Sequence, residues 1–192
     1  MNWIKEVVDN ALREMTKEKI SMMVPGDIPT AMLDETIEPM DDWRGWRPID
    51  SIITNADIQR FERKIGLSLP LSYKEYLKYK HFFSLQIPDF AVNLFKHLPD
   101  KDLKELDYHV FDSHEPDLII GKRYIYIADF HDYGLLCFDG NESVPDNEYK
   151  IVYIDHENLE YIHVYANNFR DLMEADSEKG NDFIDKLNEY YK

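Results

Sequence analysis

The residues in this 192-residue chain best suited to catalysis or metal binding are seven histidines and one cysteine, and none stands in a strong motif. His109 and His114 are five apart with Asp112 between them. A strand would point them to opposite faces, and a helix would not align them well. His131 lies between Asp129 and Asp132 in a turn-like stretch where oxygens could hold a hard cation. Asp129-x-x-Asp132 lacks the ligand count of a calcium loop, however, so no metal site is expected. Cys137 sits inside Leu135-Leu136-Cys137-Phe138, where a thiol serves as a small hydrophobe. No sequence neighbour would make it a low-pKa thiolate, although His131 could approach it in space. As the lone cysteine it excludes an internal disulfide framework and any multi-cysteine zinc site. Ser113 beside His114 is no dyad, because adjacent side chains rarely face each other. There is no Gly-x-Ser-x-Gly elbow, Walker loop or dinucleotide fingerprint, and only 7 glycines occur. Carboxylates are so abundant that a pair of them carries little information about acid–base chemistry. The expectation is a chain with no catalytic residue and no cofactor, hence not an enzyme.

What remains is charge. With 22 Lys+Arg against 38 Asp+Glu, the net charge is −16. Such a field repels nucleic-acid phosphates and anionic membranes and attracts basic partners. The acid is unevenly spread: residues 51–100 hold 7 basic and 5 acidic residues, whereas 101–150 hold 5 and 12. The candidate contacts for a basic protein partner come from that block: Asp112, Glu115, Asp117, Asp129, Asp132 and Asp139. The simpler role for any of them is solubility or turn formation. No stretch approaches the ~20 apolar residues of a membrane span, and the start does not read as a signal peptide. A cytoplasmic protein is expected.

The elements that must position these residues follow from periodicity. Ile4, Val7, Val8, Ala11, Leu12 and Met15 mark one face of a helix over residues 3–20. Residues 24–48 hold four prolines and no clear period, a linker or irregular arm whose Trp43 and Trp46 would anchor it on the domain or, alternatively, form part of a binding surface. Thr54 and Asp57 form a capping box before the stripe Ile58, Phe61, Ile65, and Gly66 sits where a left-handed helix end belongs. Leu67-Ser68-Leu69-Pro70 leads to a second cap, Ser72 with Glu75, and a helix carrying Tyr73, Tyr76 and Tyr79. Those tyrosines read as core, with an exposed aromatic face as the alternative. Residues 81–117 are less clear, with short helical turns or an insertion around Leu94 to Leu106. Strands follow at 124–128, 135–138, 151–154 and 161–165, an antiparallel meander of three or four strands. His131 to Gly134 and Asp139-Gly140-Asn141 are its turns. Phe169, Leu172 and Met173 mark a helix packing back on the sheet; Gly180-Asn181 then interrupts, and Phe183, Ile184 and Leu187 mark the last helix. Helices, an antiparallel sheet, then helices define an α+β class.

These residues also carry a resemblance. Trp46-Arg47-Pro48-Ile49, Ile53-Thr54, Asp57-Ile58, Phe61-Glu62, Ile65-Gly66, Leu69-Pro70, Tyr73 and Tyr76-Leu77 resemble the opening of SMI1/KNR4 domains, the SUKH superfamily. Ile127-Ala128-Asp129, Gly134 to Asp139, Ile151 to Glu157 and Phe169 to Met173 resemble the later strands and closing helix. The resemblance runs over residues 46–175. It departs at Lys80 to Ser84, where many members carry an Asn-Gly-Gly type turn. It implies an α+β domain with the meander packed against helices, over residues 46–192, preceded by an N-terminal helix and arm over 1–45. It also implies a non-catalytic bacterial immunity protein that neutralises a cognate polymorphic toxin, many such toxins being nucleases. A basic toxin domain would then be the partner of the acidic surface. The alternative the family offers is a regulatory or scaffolding interaction module.

Overall fold

The computed structural model describes residues 1–142 and 145–190. Its centre is a five-stranded antiparallel sheet in sequential order, formed by β5 (Val92–Leu94), β6 (Tyr124–Phe130), β7 (Gly134–Asp139), β8 (Ile151–Asp155) and β9 (Ile162–Ala166). The meander is therefore one strand longer than the three or four expected. The extra edge strand, β5, comes from the stretch whose sequence shows no period, and three residues are too few to print one. The same stretch holds α4 (Lys104–Phe111).

Helices cover one face of the sheet. α2 (Asn55–Ile65) opens on a full capping box between Thr54 and Asp57 and closes on Gly66 at φ 70°. At α3 (Leu71–Leu77) the expected Ser72 cap is absent: Pro70 precedes the helix and Ser72 lies inside its first turn. Glu148, far along the chain, accepts from the Ser72 backbone N–H at 2.8 Å and from its hydroxyl at 2.6 Å. The carboxylate needed at a helix N-terminus is thus supplied from outside the helix. Glu62 fixes the corner between the two helices, accepting the Leu69 N–H at 2.8 Å and pairing with Lys74 at 2.6 Å. α1 (Asn2–Met15) spans the whole apolar stripe but stops short of the expected residue 20, giving way to a 3-10 turn at Lys19–Met22. The irregular arm contains a small ribbon, β1 (Met23–Pro25) against β2 (Trp43–Gly45), and a second ribbon pairs β3 (Ile49–Asp50) with β4 (Lys80–His81).

α5 (Phe169–Met173) is capped by Asn168 and buries Phe169 and Leu172 completely. α6 (Ser177–Tyr190) runs straight through Gly180, which does not interrupt it. The glycine is there for close approach: a Cβ at this position would lie 2.3 Å from Asp89 Oδ1 and 3.0 Å from the Ala91 Cβ. The principal core is continuous from Ile4, Val8 and Leu12 through Trp46, Phe61, Tyr73 and Tyr76 to Ile125, Phe138, Tyr153 and Phe169. Residues 1–45 thus share the core of the rest of the chain. Tyr73 and Tyr76 are buried in it, edge-on to Phe169 at 5.2 Å, and the Tyr79 hydroxyl donates to Asp9 at 2.7 Å. A second, smaller cluster, made of Ile119, Tyr126, Leu135, Cys137, Val152 and Ile154, lies on the sheet's other face.

Candidate functional site

The second face of the sheet is where the acidic candidates gather, and a β-bulge decides which of them do. β6 pairs Tyr126 with Cys137 and then Ala128 with Leu136, so Ile127 is an extra residue. An inserted residue reverses the alternation beyond it. Ile125, Ile127, Ala128 and Phe130 all reach the principal core, and Asp129 falls on the face that carries Tyr126. The Tyr126 hydroxyl accordingly donates to Asp129 Oδ1. Burial and this bond push the Tyr126 phenol far above its ordinary range.

The turn from β6 to β7 carries His131 and Asp132, both exposed. His131 has φ 46°, an uncommon conformation for a side-chain-bearing residue, and its backbone N–H is tied to the Ala91 carbonyl at 2.8 Å. The segment after α4 crosses the same face. His109, at the end of α4, stacks on Phe95 with ring centroids 3.4 Å apart, and its Nε2 lies 3.4 Å from Glu105. His114 reaches the edge of the Tyr126 ring at 5.5 Å, and His109 meets the same ring at 5.6 Å. The two histidines, which neither a strand nor a continuous helix would bring together, converge on one tyrosine because the helix ends between them at Asp112. Burial holds both imidazoles below their ordinary pKa, opposed by Glu105 and Asp129 at His109 and by Asp129 at His114.

Together these elements shape an open polar cavity of about 280 Å³, lined by His114, Tyr126, Asp129, His131, Asp132 and His156 above Gly134 and Leu135. Asp129 and Asp132 share it. Asp112, Glu115 and Asp117 are exposed on the strap that brings His114 in. Asp139 is elsewhere. It ends β7 at the opposite end from Gly134, about 17 Å away at ~3.4 Å per residue. Its carboxylate accepts from the Asn141 backbone at 3.0 Å and side chain at 2.9 Å, a turn-forming role. That turn does not close a tight hairpin, since β8 begins only at Ile151. None of the six carboxylates forms an ion pair with a lysine or arginine among the described residues. Elsewhere the chain neutralises its own acid: Arg60 bridges Asp57 at 3.0 Å and Asp102 at 3.2 Å, and Lys64 holds Asp107.

Cys137 is fully buried in β7, and burial raises its thiol well above the ordinary value, so it is a poor nucleophile at neutral pH. Among the described residues no group of three or more His, Cys, Asp or Glu is arranged to hold a metal ion. No helix among them is long and apolar enough to cross a membrane. Trp46 is wholly buried against Phe83 at 5.9 Å, whereas Trp43 is half-buried in β2.

A five-stranded antiparallel meander backed by a capped two-helix corner, with a polar cavity on its second face, defines an α+β domain. The SMI1 / KNR4 family (SUKH-1) model matches residues 52–175, and the chain belongs to that family. α1 and α6 lie outside the matched span. No curated protein matches the chain.

Proposed function

We propose that this chain is a cytoplasmic, non-catalytic immunity protein that binds and neutralises a cognate polymorphic toxin, with a basic nuclease domain as the best-fitting partner. Membership of the SMI1 / KNR4 family supports the class. The observation that carries the mode of action is the unneutralised acid at the hairpin end of the sheet and along the strap after α4. Asp112, Glu115, Asp117, Asp129 and Asp132 have no lysine or arginine partner among the described residues of a chain whose net charge is −16. A nuclease must hold phosphates, so its cleft is basic. An acidic surface docks there by charge complementarity, with fast and salt-sensitive association, and blocks the cleft without chemistry.

A tagged pull-down from the source cells, eluted with stepped salt and read by mass spectrometry, tests this. One dominant partner with a basic C-terminal toxin domain, released as salt rises, is the expected result. Simultaneous reversal of Asp112, Glu115, Asp129 and Asp132 to lysine should then slow association about tenfold or more and flatten its salt dependence. Unchanged binding by that variant overturns the electrostatic assignment. Several unrelated partners in place of one toxin overturn the immunity reading in favour of a scaffolding module.

A further inference from the structure

We propose that the cavity at the hairpin end of the sheet is a guanidinium pocket that takes one arginine side chain of the protein partner. The proposal rests on the partner-binding reading above and adds what the surface recognises.

The lining is rich in acceptors and poor in cations. Asp129 and Asp132 contribute two carboxylates, and no lysine or arginine lines the cavity. The Tyr126 hydroxyl occupies Asp129 Oδ1 and leaves Oδ2 free to accept. His114, His131 and His156 make no hydrogen bond through their ring nitrogens to the described residues, in contrast to His81, which bonds backbone through both ring nitrogens, and His97, which does so through Nε2. Burial keeps His114 uncharged at neutral pH, so it does not repel a cation. The cavity therefore offers two anionic groups beside flat rings, and no lysine or arginine among the described residues pairs with them. The chain does supply such a partner at Asp57, where Arg60 takes the carboxylate and continues to Asp102 and the Lys101 carbonyl.

Three cations could meet this description, and geometry separates them. A metal ion is disfavoured because the groups are not arranged as a ligand set. An ammonium is a compact, strongly hydrated point charge that gains little from flat walls. A guanidinium is planar, weakly hydrated, carries five donors and stacks on aromatic faces, which suits carboxylates set beside imidazoles. A cavity of about 280 Å³ has room for the head and part of the stem of one arginine, not for a peptide segment.

The test is an NMR titration of the full chain with N-acetyl-arginine methylamide at pH 7.5, followed through the backbone amides and imidazole carbons. N-acetyl-lysine methylamide is the comparison. Saturable shifts confined to His114, Asp129 to Gly134 and His156, in the millimolar range and at least about fivefold weaker for the lysine probe, are expected. Asp129→Asn with Asp132→Asn should weaken the arginine probe about tenfold or more while the remaining spectrum is retained. If the double variant does not fold, Asp132→Asn alone, on an exposed turn, serves the same purpose. Equal response to both probes, shifts scattered over the acidic surface, or undiminished binding by the variant overturns the pocket. The titration needs no partner protein, so its failure removes the pocket and leaves the toxin reading standing. A successful titration with several unrelated partners captured in place of one toxin leaves the pocket standing and removes the toxin reading.

Discussion

Acid should unfold this protein through two buried histidines before it unfolds it through carboxylates. His81 and His97 lie in the core with ring centroids 4.5 Å apart. The Ile52 N–H donates to His81 Nε2 at 3.0 Å, His81 Nδ1 meets the His97 carbonyl at 3.2 Å, and His97 Nε2 donates to the Leu77 carbonyl at 2.7 Å. Both rings are thus built into the backbone as neutral groups. Burial, with His81 alongside, pushes the His97 pKa down from 6.5 to about 4. The unfolded chain therefore takes up a proton below pH 6.5 that the native protein refuses. Stability is lost as pH falls from 6.5, and the loss is complete near pH 4. At ~1.36 kcal/mol per unit, His97 alone costs about 2 kcal/mol between pH 7 and pH 5. His81 is shifted in the same direction by burial and adds to the loss. Asp57, held at about 2 by its hydrogen bonds to Thr54, works in a separate window, since its contribution is lost only as pH falls below 3.8. The perturbation that isolates the pair is His97→Gln, which keeps a donor for Leu77 but cannot titrate. The Leu77 carbonyl also accepts from Ser51 Oγ at 2.6 Å, so the variant should fold. Urea unfolding of both proteins at pH 7.0 and 5.0, at low concentration because the pI is near 4.7, should show a pH-dependent loss smaller by about 2 kcal/mol in the variant. Equal losses in the two proteins would refute the reasoning.

Three further predictions concern the supports of the fold. Glu148→Ala should cost about 1–3 kcal/mol in urea unfolding, because it orphans the Ser72 N–H at the start of α3, and Ser72→Ala on top of it should cost much less than it does alone. Gly180→Ala, which in an ordinary helix gains about 1 kcal/mol, should instead lower stability by about 1–3 kcal/mol, since the new methyl meets Asp89, whose other oxygen holds the Tyr165 hydroxyl. Cys137 should resist a thiol reagent in the native protein at pH 8 and react at once in urea; rapid native labelling would contradict its burial.

Where local chemistry decides structure, the sequence was sufficient to read it. Thr54, Asp57 and Gly66 delimit α2 because a cap and a left-handed end are properties of single residues. Asp155 turns the chain between β8 and β9 by accepting from the Glu157 and Asn158 N–H groups, and its sequence position already says turn. Where a distant partner decides, the sequence was silent. Ser72 looks like a cap until Glu148 arrives from 76 residues away, and Gly180 looks like a breaker until Asp89 packs against it. β5 is three residues long and exists because β6 offers an open edge.

The candidate site shows the same division more sharply. Its residue types were legible: the acidic block, His131 between two aspartates, the turn before Gly134. Which of them share a surface was not, because that depends on one inserted residue. Strict alternation along 124–130 places Asp129 with Ile125 and Ile127, against the helices, where a carboxylate without a cation would be costly. The bulge at Ile127 moves it to the face of Tyr126, beside His114 and Asp132. The same strand with no bulge would bury the charge and dissolve the cavity. An apolar run that ends Ile-Ala-Asp-Phe therefore contains a conflict between pleat and polarity, and the chain resolves it by skipping a residue. That conflict is the signal a sequence reading could have used: a charged residue at an inward position of an otherwise well-formed strand indicates that the register changes before it.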